Sequence, residues 1–367
     1  MEDNYKIKIG ITQGDINGIG YEVILKTFAD PTILELCTPI IYGSTKIASY
    51  HRKTLNINAN FTMINSAEEA SHNRINIVNC NDEEIKVEFS QPTEESGRAA
   101  YEALEKACEE YKKGLIDALV TAPINKHTIQ NENFHFPGHT EYLEQKLGNG
   151  KKALMILMNR DLRVALVTTH LPIRDVANAI TKENIIEKVH IFNDSLKKDF
   201  GLSRPRIAIL ALNPHAGDNG LIGSEEQEII IPTIEELSKE DILAFGPYPA
   251  DGFFGSEEYT HFDGILAMYH DQGLAPFKAL AMEEGVNYTA GLPIIRTSPA
   301  HGTAYDIAGK GIASEESFRQ AIYSAIDIYR ARRQEEKITR NPLRKLYFDK
   351  KDDSDKLKLD SIENEDI

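Results

Sequence analysis

Short, almost unbroken apolar runs recur along this chain, and the stretches between them carry helical periodicity. That alternation constrains the fold more than any other feature. A strand that is apolar at nearly every position has both faces buried, and helices in the connections supply the cover. The pattern therefore predicts an α/β architecture with a mostly parallel sheet. "KIKIGIT" (6–12), "PIIYGS" (39–44), "DALVTAP" (117–123), "LRVALVTTH" (162–170), "RIAILALNPH" (206–215) and "DGILAMYH" (263–270) read as strands. From Glu94 to Gly114, residues Ala100, Leu104, Ala107, Cys108 and Tyr111 fall at helical spacing, and Gly114 is a fitting stop. Further helices are expected around 174–197, 224–239 and 315–332. At 367 residues the chain exceeds one compact core and suits two domains or one large α/β unit.

Charge narrows the function classes. The formal net charge of −16 leaves no general basic face for nucleic acid, although a local basic pocket for an anion remains open. Cys37, Cys80 and Cys108 are widely spaced and form no Cys-x-x-Cys pair, which supports neither a disulfide framework nor a thiolate zinc site. The start, MEDNYKIKIG, lacks the apolar stretch of a signal peptide, and no run nears the ~18 apolar residues of a membrane span. A reduced, cytoplasmic protein that binds neither membrane nor nucleic acid is expected. From Lys351 to Ile367, three lysines and seven acidic residues follow with almost no periodicity, so a disordered acidic tail is expected there.

Three histidines stand where apolar runs end: His170, His215 and His270. Ligands of open α/β sheets bind beyond the carboxyl ends of strands, and three imidazoles with a fourth position open make a catalytic rather than a structural metal site. A lone histidine at such a place is ordinarily a hydrogen-bonded loop residue, and spacing alone does not make the three strands neighbours. "GITQGDINGIGYE" (10–22) offers a glycine-rich turn for a phosphate, yet Gly-x-Gly-x-x-Gly occurs nowhere in the chain. Lys126 follows one strand, His139 and Thr140 stand at an expected helix start, and Lys278, Asn287 and Arg296 come later. Together these suit a substrate bearing carboxylate and phosphate groups.

The motifs "GDINGIG", "DALVTAPINK", "FPGHTEYL", "LVTTHLPIRDV", "LNPHAGDNGLIGSEE", "GPYPADGFF", "LAMYHDQGLAPFKAL" and "GVNYTAGLPIIRTSPAHGTAYDIAGKG" occur in order over residues 6 to 332. In them the chain resembles the 4-hydroxythreonine-4-phosphate dehydrogenase family of pyridoxal 5′-phosphate biosynthesis. The resemblance implies two α/β/α domains with a cleft between them, like isocitrate and isopropylmalate dehydrogenases, in a homodimer whose active site lies at the subunit interface. The expected division is 1–135 with 290–345 as one domain, 136–289 as the second, and 346–367 as the tail. It implies a divalent metal (Zn²⁺, Co²⁺ or Mg²⁺) on His170, His215 and His270, with ligands shared across the dimer. Substrate contacts carry over to His139, Thr140, Lys278, Asn287 and Arg296. Where the family usually reads GDPAGIG and HAGEGGHMG, this chain has Ile16 and Asn17, and Asp218, Asn219, Leu221 and Ile222.

The implied reaction is oxidation of 4-phosphohydroxy-L-threonine by NAD or NADP to 2-amino-3-oxo-4-(phosphooxy)butanoate, which decarboxylates to 3-amino-2-oxopropyl phosphate. The metal's expected part is to stabilise the alkoxide and then the charge left as CO2 departs. Lys278 is the expected proton-handling or charge-stabilising group. Asp271, beside a ligand, is expected in catalysis, in support of His270, or simply as a cap of the loop. Alternatives are a dehydrogenase of threonate or erythronate 4-phosphate, a phosphate- or acyl-transferring enzyme of related fold, and a metal-binding protein without catalysis.

Overall fold

A computed structural model describes residues 5–80 and 85–341, whose strands form one twelve-stranded sheet. The strands are β1 (Ile7–Thr12), β2 (Cys37–Gly43), β3 (Phe61–Ile64), β4 (Ile75–Asn79), β5 (Ala118–Thr121), β6 (Leu154–Met158), β7 (Arg163–Leu166), β8 (Arg206–Leu210), β9 (Leu243–Tyr248), β10 (Gly264–Ala267), β11 (Val286–Ala290) and β12 (Ile295–Pro299). Their spatial order is β3-β4-β2-β1-β5-β12-β11-β6-β7-β10-β8-β9. All pairs from β3 to β12 are parallel, as are those from β7 to β9. Helices connect most of these strands, as the buried apolar runs require.

The middle of the sheet departs from the mostly parallel expectation. β12 with β11, β11 with β6, and β6 with β7 are antiparallel. Two of these three reversals come from short turns. Asn159 closes the β6–β7 link by accepting from the backbone N–H groups of Asp161 and Leu162. Gly291, at φ 83°, starts the β11–β12 link. Three reversals leave the two parallel blocks running in opposite senses, so their carboxyl ends share no single edge. Segments beyond β5, with Lys126, and beyond β7 and β10, with His170 and His270, nevertheless line one cavity.

The two faces of the seam are unlike. One face carries a continuous core through Ile156, Met158, Val286, Tyr288 and Ile295, closed by the long helix Glu316–Thr339. The other face has two separate cores. One lies around Leu119, Leu104 and Ile294, the other around Leu157, Leu166 and Phe277. Residues that alternate onto this second face of β11 and β12 are Asn287, Thr289, Arg296 and Ser298. A cleft between two α/β/α layers thus follows from burial, and its floor is polar.

Several expected boundaries shift. The run 162–170 is strand only to Leu166, so His170 lies on the loop beyond. His270 opens the helix His270–Ala281 rather than ending a strand. The region 174–197 is two helices, Ile173–Ala179 and Lys182–Lys198, because Thr181 caps the second by accepting from Asn184 N–H. The region 224–239 begins with a π turn, Glu226–Ile230. The final helix runs past 332 to Thr339. All three cysteines are unpaired thiols. Among the described residues no helix is long and apolar enough to cross a membrane. The expected tail, 346–367, lies outside the described residues.

Candidate active site

A cavity of about 260 Å³ occupies the cleft over the seam. Its floor is Arg296, which is only 3 % exposed. Two threonines from the flanking strands hold the guanidinium. Nε and one Nη donate to Thr121 Oγ1 at 3.1 and 2.7 Å, and the other Nη donates to Thr289 Oγ1 at 3.2 Å. Thr140 Oγ1 lies 3.5 Å from Thr289 Oγ1 and backs this arrangement. Among the described residues no carboxylate stands within salt-bridge distance of Arg296. Burial pushes its guanidinium down to about 10, with Glu141 working the other way, so it stays charged at neutral pH. A buried cation held only by hydroxyls is electrostatically unfinished.

Other cavity walls are unfinished too. His139 Nε2, Asn287 Oδ1 and His301 Nε2 are buried and lack a hydrogen-bond partner. Burial first, then the charges of Arg296 and Lys126, hold the His139 imidazole well below its usual range, so it is neutral. His139 opens the helix His139–Leu147, whose N-cap is Gly138 with no capping side chain. Thr140 is therefore not the cap. The first turn carries Glu141, whose carboxylate accepts from its own backbone N–H, so the helix start is partly filled from within the chain. Lys278 joins from the opposite wall: His270, Leu274 and Lys278, spaced four apart, share one helix face and all line the cavity. Neither Lys278 nor Lys126 has an ion-pair partner among the described residues.

The three candidate metal histidines do not meet. His170 and His270 line the same cavity, their ring centroids 6.4 Å apart. His270 Nδ1 lies 2.7 Å from Asp271 Oδ1, and His170 Nδ1 lies 3.6 Å from Glu141 Oε1. Contact with His170 lowers the Glu141 carboxyl, against burial. Carboxylates beside Nδ1 favour the tautomer that leaves Nε2 as a lone-pair donor, the form a metal-ligating histidine takes. His215 instead lines an adjoining cavity of about 510 Å³ with Asn213, Asp251, Tyr269 and Gln272. Among the described residues no group of three His, Cys, Asp or Glu side chains converges on a metal-sized point. Two imidazoles suit a metal; the expected triad is not completed within one chain.

The reason lies in the backbone after β8. His215, Ala216, Gly217, Asp218 and Asn219 all have positive φ, between 43 and 76°, a left-handed turn. Each non-glycine residue there costs about 1–2 kcal/mol. Buried Glu226 holds the turn's entry, accepting from Leu212 N–H at 2.8 Å, Asn213 N–H at 2.7 Å and Asn213 Nδ2 at 3.0 Å. Gln272 donates to Ala211 O, tying the His270 helix to the same strand end.

Asp271, expected in catalysis or in support of His270, is an exposed residue on His270 Nδ1 and is not a cavity wall. His301 and Glu141, outside the expected set, belong to the site, as does Lys126 from the expected basic cluster. Lys126 Nζ lies 3.4 Å from His170 Nε2. His301 donates through Nδ1 to Gly302 O and turns Nε2 inward. Glu141 backs His170. "TAPINK" and "SPAHGT" carried a signal for Lys126 and His301, since each follows a strand end. Nothing in the sequence marked Glu141 apart from an ordinary first-turn acid.

The chain is similar to known proteins along most of its length. A relative from Bacteroides thetaiotaomicron named 4-hydroxythreonine-4-phosphate dehydrogenase is 69% identical over 365 residues, covering 100% of each chain. A relative from Oceanobacillus iheyensis, provisionally named D-threonate 4-phosphate dehydrogenase, is 40% identical and covers 87% of this chain and 97% of its own. The crystal structure of a 4-hydroxythreonine-4-phosphate dehydrogenase from Burkholderia phymatum superposes with a TM-score of 0.72 at 38% identity, covering 89% of this chain and 99% of that one. The sequence profile described as pyridoxal phosphate biosynthetic protein PdxA matches residues 35–325, and the chain belongs to that family.

Proposed function

We propose that this chain oxidises 4-phosphohydroxy-L-threonine to 2-amino-3-oxo-4-(phosphooxy)butanoate, with NAD or NADP accepting the hydride, in pyridoxal 5′-phosphate biosynthesis. One observation carries the reading: buried Arg296 has no carboxylate partner and faces a cavity that also holds Lys126 and Lys278. A substrate with a carboxylate at one end and a phosphate at the other supplies the missing charge. The planar guanidinium suits the carboxylate. Neutral His139 and Asn287 offer Nε2 and Oδ1 to the substrate's hydroxyl and ammonium groups. Lys278 opposes negative charge that grows on the reacting oxygen.

The alcohol carbon gives up its hydride and the hydroxyl its proton, which leaves a ketone β to the carboxylate. Loss of CO2 then breaks the adjoining C–C bond, whose electron pair moves toward the ketone oxygen and is finally protonated. A divalent cation, when bound, supplies Lewis-acid stabilisation of oxygen charge. Nε2 of His170 and of His270 supports metal dependence, and a third donor from a second subunit would complete the set in the proposed homodimer.

The test is reduction of nicotinamide by purified protein with 4-phosphohydroxy-L-threonine. No reduction with either NAD or NADP overturns the proposal. The D-threonate 4-phosphate reading is supported by the 40% identical relative. It predicts faster turnover of D-threonate 4-phosphate in the same assay.

A further inference from the structure

We propose that Asp15 is a positioning residue for the cavity: through Tyr305 and Asn125 it fixes where Lys126 stands on the wall. The inference rests on the reading of the cavity as the seat of an anionic hydroxy acid, which Lys126 faces. Asp15 belongs to "GDINGIG", the glycine-rich turn that the sequence offered to a phosphate. The chain itself fills that turn. Residues 13–20 are all buried. A Cβ on Gly14, at φ 67°, would lie 2.4 Å from Pro123 O, and one on Gly18 would lie 2.7 Å from Thr303 O. These glycines admit neighbouring loops of the same chain rather than a ligand.

Asp15 stands where those loops meet and is 1 % exposed. Among the described residues its carboxylate meets uncharged donors and no cation. Oδ1 accepts from Asn17 N–H at 2.9 Å, and Oδ2 accepts from Ser96 Oγ at 3.1 Å and from Tyr305 OH at 2.7 Å. Its own N–H donates to Pro123 O at 2.9 Å, and Ile19 N–H donates to Thr303 O at 3.1 Å. The loops beyond β1, β5 and β12 are thus tied at one point. A carboxylate is costly to bury, and here three converging donors need an acceptor at both oxygens, which a side-chain amide does not supply.

Tyr305 passes the hold on. Burial first, then the hydrogen bond to Asp15 and its charge, keep the phenol above its usual range, so it remains a donor to Asp15. Its oxygen accepts from Asn125 Nδ2 at 3.2 Å, while Asn125 Oδ1 accepts from the N–H groups of His127 and Thr128. Lys126, between them, is gripped on both sides, and its carbonyl accepts from Gln130 Nε2. Pro123, Ile124 and Lys126 line the cavity, whereas Asp15 and Tyr305 lie behind them. Loosening the network leaves the ammonium present but unplaced, and a displacement of about 1 Å is enough to weaken a fixed contact severely.

The test compares wild type, Tyr305→Phe, Lys126→Met, the double variant and Asp15→Asn. With 4-phosphohydroxy-L-threonine, Tyr305→Phe should raise KM about fivefold, the loss of one hydrogen bond, with kcat within about twofold. In the Lys126→Met background the same change should move KM less than about twofold, because the side chain it positions is gone. Asp15→Asn should raise KM at least as far as Tyr305→Phe; if it does not fold, the Tyr305 and double variants alone decide. Amide exchange at 126–130 should quicken in Tyr305→Phe and keep its wild-type rate in β7 and β10. Unchanged KM in Tyr305→Phe or Lys126→Met, a fall in kcat at constant KM, equal KM factors in both backgrounds, or unchanged exchange at 126–130 each overturns the assignment. If wild type reduces no nicotinamide, the proposed reaction fails, while the exchange rates still judge the link from Asp15 to Lys126.

Discussion

Replacing Arg296 by methionine should make the ligand-free protein more stable and nearly useless. The guanidinium is buried, and burial brings its pKa down from the ordinary arginine value to about 10. At about 1.4 kcal/mol per unit, that drop corresponds to about 3 kcal/mol by which the fold disfavours the charge. Methionine removes this penalty and fills similar space. It leaves Thr121 and Thr289 without their donor, at about 1 kcal/mol for each hydroxyl. The net gain is about 1 kcal/mol in phosphate-free buffer. Binding moves the other way, because losing one partner of a buried charge pair costs about 2–5 kcal/mol, roughly 30-fold or more in affinity. Urea unfolding of both proteins, with and without substrate, measures the two effects together. Wild type should be the less stable without ligand and the more stable once ligand saturates it. If Arg296→Met is instead clearly less stable in the empty state, or binds substrate as tightly as wild type, the idea of an uncompensated cation is wrong.

Acid should weaken the fold in a defined window. Burial lowers His51 from 6.5 to about 4, with its bond to Ile16 O opposing, so it is neutral in the fold. The unfolded chain takes up a proton below pH 6.5 and the folded chain does not until near 4. Stability is therefore full above 6.5 and falls as pH drops, by about 2 kcal/mol at pH 5 from His51 alone, with His139 adding in the same sense. Urea melts that are flat between pH 7 and 5 would contradict this. Glu226→Ala strands the donors of Leu212 and Asn213 and should cost about 2–3 kcal/mol. Amide exchange in residues 211–223 should quicken, and unchanged exchange would deny Glu226 its hold on the turn. Exhaustive chelation should abolish turnover, and Zn²⁺, Co²⁺ or Mg²⁺ should restore it. Metal analysis of His215→Ala then separates two arrangements: lost metal includes His215 in a donor set shared between subunits, and retained metal excludes it.

Parallel strands on both sides of the seam were legible because a buried apolar run is a local pattern, whereas the outer strands β3, β4 and β9 were not expected. β1, β2, β5 and β10 are nearly all apolar, and each fell where an apolar run said it would. The helix Glu94–Lys112 announced itself through spacing and a glycine stop. The seam was hidden. β11 and β12 hold Asn287, Thr289, Arg296 and Ser298, which break the apolar run because they lie on the cleft face rather than in the core. The same polar residues that make the site thus disguise the strands that carry them. Strand sense depends on turns such as Asn159–Leu162, which periodicity does not report. His139, Lys278, Asn287 and Arg296, far apart in the chain, line one cavity. The path of His215 was not legible, since a run of left-handed residues held by a distant glutamate has no periodic trace.

The seam works like the spine of a book. One side is glued from cover to cover by a single apolar layer, and the other is slit between two separate layers. Arg296 and Asn287 are set in the spine, whereas Lys126 stands on one cover and His270 and Lys278 on the other. A change in the angle between the covers would leave Arg296 and Asn287 where they are and alter only how near Lys126, His270 and Lys278 come to them.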